Sequence, residues 1–278
     1  MDIVPQAPHC NLCGSSDASL YQETGDASKV LRCNGCGLVY VSPQPRIEND
    51  HYGEEYYSEW QESQAARRAG MWKRRLRDVR MYRKSGVLLD VGCGLGTFLL
   101  QARDAGFMVQ GTEVSTYAAR KISDQHGITV HAGDLATMSL EENLFDVITF
   151  WHSLEHTTDP RANLRKAFNL LKPGGLVVVA VPNLNNRIMQ VLYRIVRRRP
   201  LRLYTGDARE LHLFHFTEET LASMLQRVGF RLERVTLDLG QVVWSKKLIE
   251  GVAVVLHALT RRNFSEALRV YASKPAAV

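Results

Sequence analysis

The sequence predicts an α/β protein built on a doubly wound, mostly parallel sheet of seven strands, Rossmann-like, with a small cysteine-rich module ahead of it and helical insertions late in the chain. Three observations predict it. From Val87 onward short apolar runs alternate with helix-length amphipathic stretches. Such alternation implies βαβ units with right-handed crossovers. The first apolar run ends in the glycines of LLDVGCGLGTF, and residues 1–45 hold four of the five cysteines.

The N-terminal module comes first. Cys10 and Cys13 form one C-x2-C pair and Cys33 and Cys36 a second, with 19 residues between the pairs. That spacing suits two zinc knuckles joined by a hairpin. Four thiolates would close a tetrahedral site and leave no open position, so the expected metal is a structural zinc. Disulfides are the competing reading. The start, MDIVPQAPHC, carries no basic stretch followed by an apolar one, so the expected setting is the reducing cytoplasm. His9 is expected beside the metal or exposed.

Residues 46–84 form the next segment, a linker rich in Tyr, Trp, Glu and Arg that is expected to be helical from about Ser58 to a break at Ser85-Gly86. The core domain is expected over 85–278, with insertions at about 187–210 and 246–267. Between them Thr217 caps a helix that Gly229 stops, and strands follow at 230–238 and 268–273.

Charge and hydropathy set limits on function. With 35 Lys and Arg against 29 Asp and Glu, the chain carries +6. Nine basic residues crowd between Ala65 and Lys84, and seven arginines lie between Arg187 and Arg209. Two basic surfaces are expected from them. The longest uncharged apolar run, Gly251 to Thr260, is about half the length of a membrane span. Within the insertions, Ile188, Val191, Leu192, Ile195 and Val196 fall at helical spacing, as do Leu248, Ile249, Val252, Val255, Leu256 and Leu259, with Lys and Arg on their flanks. Such stripes pack on the domain in most proteins. The functional alternative is a lid with weak peripheral membrane contact.

The glycine loop narrows the ligand. Gly92, Gly94 and Gly96 stand at alternate positions after a strand, where removing side chains lets a ligand approach the backbone at the carboxyl edge of the sheet. A dinucleotide fingerprint needs a glycine where Thr97 stands, and no G-x-x-x-x-G-K-[ST] is present. A pyrophosphate ligand is therefore disfavoured.

Asp90-x-Gly92-x-Gly94-x-Gly96 is similar to the first motif of class I S-adenosylmethionine-dependent methyltransferases of the ubiquinone type, also called methyltransferase-23-like. The later segments GTEVS, AGDL, FDVITFWHSLEHTTDP and LKPGGLVVVAVPN follow in that family's order. The resemblance spans residues 85 to about 240. It implies S-adenosyl-L-methionine as cofactor, held by Asp90, Gly92, Gly94, Gly96, Glu113, Asp134, Leu135 and Trp151. In it Glu113 matches the acid on the ribose hydroxyls and Asp134 the residue on the adenine. A carboxylate can indeed accept from both hydroxyls of a diol, and Asp134 from an exocyclic amine. Cys93, inside the loop, is expected to be a buried filler.

The acceptor is a small molecule under this reading, apolar or lipid-linked, and oxygen is its expected methylation site. His152, Glu155 and His156 are the candidate catalytic residues. They stand at i, i+3 and i+4, so they share a face if the turn is helical. A histidine there has the pKa range to take a proton from a phenol or enol. The bland alternative is a polar turn before Pro160. His212 and His215, in ELHLFHFT, either border the acceptor pocket or sit satisfied in a strand. A four-cysteine module ahead of such a domain resembles sugar C-methyltransferases, which keeps C-methylation open. A nucleic-acid methyltransferase is disfavoured, because WHSLEH stands where those enzymes carry an Asn/Asp-Pro-Pro-aromatic signature, and no nucleic-acid partner is expected. A non-catalytic module binding S-adenosylmethionine is the remaining alternative.

Overall fold

A computed structural model describes residues 3–4, 9–25, 27–45, 52–206, 208, 210–240 and 244–276, apart from the side chains of 3–4, 58–67 and 244–246. Residues 46–51 of the expected linker, Asp207 and Arg209 of the first insertion and the side chain of Lys246 fall outside it.

The central sheet has seven strands: β6 (Gly86–Val91), β7 (Phe107–Glu113), β8 (Thr129–Ala132), β9 (Phe145–Trp151), β10 (Leu171–Pro182), β12 (Arg231–Leu237) and β13 (Ala267–Ser273). Their order is β12-β13-β10-β9-β6-β7-β8, and the pairs β10–β9, β9–β6, β6–β7 and β7–β8 are parallel. β13 runs antiparallel between β10 and β12. The sheet is therefore mostly parallel, with one reversed strand, and the strand order turns at β6.

Both faces of the sheet are covered, as a parallel sheet requires. Successive residues of a strand point to opposite faces, and the apolar residues divide accordingly. Leu89, Ile148, Phe150, Val177 and Val179 pack under α4 (Pro160–Leu170) and α6 (Glu218–Val228). Leu88, Val147, Trp151, Val178 and Ala180 pack under α1 (Glu54–Arg80) and α2 (Thr97–Asp104). The third helix, α3 (Thr116–His126), lies over β7 and β8.

Local sequence sets the helix ends. Ser115 accepts from the Ala118 N–H at 3.2 Å to start α3, and Gly127 ends it in the left-handed region at φ 63°. Asp159 caps α4 with Pro160 at its first position. Thr217 and Thr220 exchange bonds as a capping box at the start of α6. α1 begins at Glu54, four residues earlier than the periodicity predicts, because Glu54 and Glu55 in its first turn favour the positive end of the helix. The insertions form α5 (Arg187–Arg197) and α7 (Trp244–Thr260).

The cysteine module is an antiparallel sheet of β2 (Ala18–Glu23), β3 (Lys29–Cys33) and β4 (Val39–Ser42), and the segment before α6 adds a fourth strand, β11 (Phe214–His215). Two further short strands, β1 (Ile3–Val4) and β5 (Gln44–Pro45), pair with each other. Phe214 lies opposite Tyr40, and the Val41 N–H donates to the Leu213 carbonyl at 2.9 Å. Val39, Tyr40 and Val41 share one apolar cluster with Phe214, Phe216 and Leu221. The module thus shares its core with the larger domain.

Phe214 is fully enclosed and its ring stacks on both Tyr40 and Phe216. Phe214→Ala should lower stability by roughly 3–5 kcal/mol, the cost of an unfilled aromatic cavity. Denaturant unfolding followed by circular dichroism measures it; a loss below about 1 kcal/mol would show that the module does not depend on this contact.

Candidate active site

The carboxyl edge of the parallel strands gathers the predicted residues. Gly92, Gly94 and Gly96 take φ of 70°, 54° and 72°, the left-handed region where a side chain is strained. A Cβ on Gly92 would meet the Ser153 Cβ at 2.6 Å. The glycine loop therefore lies directly against the turn that follows β9, and the Ser153 hydroxyl donates to the Val91 carbonyl at 2.6 Å. Asp90 is buried beneath the loop and accepts from the Thr149 hydroxyl at 2.7 Å; burial pushes its carboxyl up to about 7. Cys93 is buried in the loop, as expected of a filler.

Glu113 ends β7 and is buried. Its Oε2 accepts from the Gly94 N–H at 2.9 Å and its Oε1 from the Ser115 N–H at 3.0 Å. Burial raises its pKa, and these two amides oppose the rise. Tyr57 stands beside this carboxylate and also works against the rise, and its ring lies over Gly94. Each carboxylate oxygen has two lone pairs, so Glu113 laces the loop together and keeps lone pairs with which it could accept a hydroxyl. On the third strand's loop Asp134 is half-buried, with Oδ1 taken by the Ala136 N–H at 2.9 Å. Leu135 beside it is buried.

A tyrosine cluster from the start of α1 closes over this edge. Tyr52, Tyr56 and Tyr57 meet edge to face at 5.2 and 4.9 Å, and the Ser115 hydroxyl donates to the Tyr52 carbonyl at 2.5 Å. The tyrosine-rich composition of this segment does not by itself place it in the site. A local pattern has no means of showing that the chain before α1 folds back onto Glu113.

The turn after β9 holds the candidate catalytic groups. His152 takes a left-handed φ of 55°, two residues ahead of the short 3-10 turn Leu154–His156. Its Nε2 lies 3.2 Å from Asp238 Oδ2 and its Nδ1 3.6 Å from Glu155 Oε1. Burial disfavours its charge, yet the bond to Asp238 and the nearby Glu155 carboxylate win and raise its pKa to about 9. His152 thus holds its proton at neutral pH.

Asp238 in turn is buried against Arg75, which also lies over the rings of Trp72 and Trp151 at 4.8 and 4.7 Å. Burial opposes the Asp238 charge, and Arg75 and His152 hold it well below the usual range. Arg269 reaches both Asp78 and Asp238, at 3.0 and 3.7 Å. Sequence reasoning missed Asp238, Arg75 and Arg269. It placed Arg75 on a basic surface; instead the arginine is drawn inside by a buried carboxylate and two indole faces. Trp151 packs under it against Phe98 and Trp72.

His156 is oriented differently. Its Nδ1 donates to the Leu211 carbonyl at 2.9 Å, because a carbonyl only accepts. The neutral ring therefore carries its proton on Nδ1 and leaves Nε2 as an acceptor. The His212 ring lies 4.8 Å from it and the His215 ring 6.4 Å beyond, both His212 and His215 kept neutral chiefly by burial, His215 down to about 3. Glu155 is fully enclosed and neither carboxylate oxygen has a hydrogen-bond partner. Burial works against its charge, yet His152 and His156 hold its pKa below the ordinary range. Glu155, His156 and His212 bring their ligand atoms within 4.8 Å of one another.

The four module cysteines form a second cluster of that size. Their sulfurs lie within 4.8 Å of one another, with Cys10–Cys36 and Cys13–Cys33 each at 3.5 Å. Both distances exceed a disulfide bond and lie near the roughly 3.8 Å edge of a tetrahedral zinc–thiolate site. His9 is exposed.

Comparison with known proteins agrees with this geometry. The chain is 30% identical over 126 residues to a protein of Paraburkholderia xenovorans named ubiquinone biosynthesis O-methyltransferase, covering 43% of this chain and 53% of that one. A namesake from Ralstonia nicotianae is 37% identical over 97 residues, covering 32% and 40%. The chain thus spans about half the length of the curated relatives it matches. The solved structure of an S-adenosylmethionine-dependent methyltransferase from Mesorhizobium loti superposes with a TM-score of 0.52 at 21% identity, covering 73% of this chain and 97% of that one, a likeness of fold. Residues 34–235, well over half of the chain, match the family described as a methyltransferase domain, and with the glycine loop, Glu113 and the strand order in place the chain belongs to that family.

Proposed function

We propose that the protein transfers a methyl group from S-adenosylmethionine to an oxygen of a small-molecule acceptor, with His156 taking the acceptor proton. The observation that carries the reading is the tautomer of His156: its Nδ1–H is committed to the Leu211 carbonyl, so Nε2 is free to accept. When bound, the cofactor supplies the methyl on a sulfonium centre, which needs no activation by the protein. What the chain contributes is position and a place for the proton. Glu113 would hold the ribose diol, Asp134 would accept from the adenine amine, and Leu135 and Trp151 would supply apolar surface. Gly92, Gly94 and Gly96 let the cofactor reach the backbone above Asp90. Transfer of that methyl to the acceptor oxygen would leave the cofactor as a neutral thioether, and His156 Nε2 would take the acceptor proton. His152 is already protonated against Asp238, which makes it a positioning group for Glu155. The buried negative charge of Glu155 stabilises the imidazolium that forms on His156.

A second reading rests on the unpartnered oxygens of Glu155. Glu155, His156 and His212 would hold a divalent cation that ionises a chelating acceptor hydroxyl. Four cysteines in the module would hold one structural zinc, away from the chemistry.

Glu113→Ala should weaken S-adenosylhomocysteine binding by roughly 2–3 kcal/mol, the loss of charge-assisted bonds to the diol. Isothermal titration checks this, and equal affinity would remove Glu113 from the cofactor site. His156→Ala should lower turnover of an accepted hydroxyl substrate by about a hundredfold with cofactor affinity unchanged. Wild-type turnover in that variant would refute the base. If added Mg2+, Mn2+ or Zn2+ raises wild-type turnover and His212→Ala abolishes the rise, the cation reading replaces the first. Metal analysis should return about one zinc per chain, and Cys33→Ser should lose it and expose β2–β4 to protease. Metal-free protein purified without chelator would overturn the zinc assignment.

A further inference from the structure

We propose that α5 and α7 form a face that docks the protein on an anionic lipid surface. The inference is independent of which group removes the acceptor proton.

Each helix leaves a row of large apolar side chains in water. On α5, Val191, Leu192, Ile195 and Val196 are 38–72% exposed, and no residue of the helix is buried. On α7, Leu248, Val252, Val255 and Leu259 recur every three or four residues and are 52–77% exposed. The opposite side of α7 carries Ala253, which is fully buried, and Glu250, whose carboxylate accepts from the Gly240 N–H at 2.9 Å. That helix is thus already seated on the protein by one face. Its outward stripe is a second face, and internal packing does not use it.

The two helices are also joined at one place. Asn183, directly after β10, donates through Nδ2 to the carbonyls of Asn263 and Ser265 at 3.1 Å each, and its N–H donates to the Glu266 carbonyl at 2.8 Å. The exit of α7 and the entry to α5 are therefore tied by a buried knot at the carboxyl end of β10, the end of the sheet that carries the glycine loop. Both helices thus leave the fold from one point at that edge.

Charge selects the occupant. Arg187 to Arg202 contains six arginines and no acid, and α7 is flanked by exposed Lys247, Arg261 and Arg262. A second copy of the chain on α5 would bring arginine against arginine, whereas an anionic bilayer accepts the apolar stripe in its acyl boundary and the guanidinium groups among its phosphates. Among the described residues no helix is long and apolar enough to cross a membrane, so the contact lies in the plane of the interface.

The test is flotation of the full chain with phosphatidylcholine vesicles containing about 30 mol% phosphatidylglycerol, against phosphatidylcholine alone, at low salt. Wild type should float with the anionic vesicles and not with the neutral ones. Ile195→Glu with Val255→Glu should abolish flotation, and Arg194→Glu with Arg197→Glu should do the same by removing charge alone. All these positions are exposed, and unchanged melting temperature and S-adenosylhomocysteine affinity verify that the variants are folded. Failure of wild type to float with anionic vesicles overturns the proposal, as does equal flotation on neutral vesicles or persistent flotation of both variants. Sedimentation supplies the remaining outcome: a dimer that Ile195→Glu dissociates would assign the face to a second copy and likewise overturn it.

Discussion

The pairing of Arg75 with Asp238 joins three parts of the chain that are far apart in sequence: the long first helix, the end of β12 and the turn after β9. Taking two charges out of water costs several kcal/mol per ion, so a pair this enclosed persists only with further partners. Here they are present. The guanidinium lies over two indole rings, and His152 and Arg269 both face the carboxylate. Removing either member would leave the other charged and buried, which costs about 3–5 kcal/mol in such sites. The pair also decides the character of His152. Held in a left-handed conformation, that ring turns Nε2 to Asp238 and the Arg75 guanidinium and Nδ1 toward Glu155, so its pKa is raised and Glu155 stands between it and His156.

The cysteine module bears on the same turn from the other side. Its last strand, β4, would be an open edge without β11, and an open edge invites pairing with other chains. β11 closes it. The residue just before β11 then links two elements directly, since the Leu213 carbonyl accepts from Val41 and its N–H donates to the Glu155 carbonyl at 2.9 Å. A structural metal in the module would therefore stabilise the backbone that carries Glu155 and presents His212, although it lies outside the chemistry. The module acts as a buttress, and the burial of Phe214 and Phe216 in the shared core is the apolar part of that role.

The cofactor edge and the acceptor turn are likewise one unit. Gly92 lacks a side chain because Ser153 occupies that space, so the loop proposed to cradle the cofactor and the turn proposed to meet the acceptor are fixed against each other. In-line methyl transfer depends on such positioning more than on acid–base strength. The tyrosine cluster at the start of α1 covers Glu113 from outside, which makes this helix part of the site and more than a connection to the module.

The sequence by itself determined the sheet and the cofactor edge. Alternating apolar runs and helix-length stretches are local signals, and so are the glycines after β6, the acid ending β7 and the paired cysteines; each depends on spacing within a few residues. It also marked His152, Glu155 and His156 as a group, since they are near neighbours in the chain. Only the tertiary structure decided how they differ: which histidine is bound to a buried carboxylate, which has its Nδ1 proton committed to Leu211, and that Glu155 is enclosed without a hydrogen bond. Those distinctions arise from Asp238, Arg75 and Leu211, contacts 55 to 163 residues apart that no local pattern encodes. The basic run at 65–84 shows the same limit. Charge composition predicts a surface, but an arginine goes inside when folding brings a carboxylate and two aromatic faces around it.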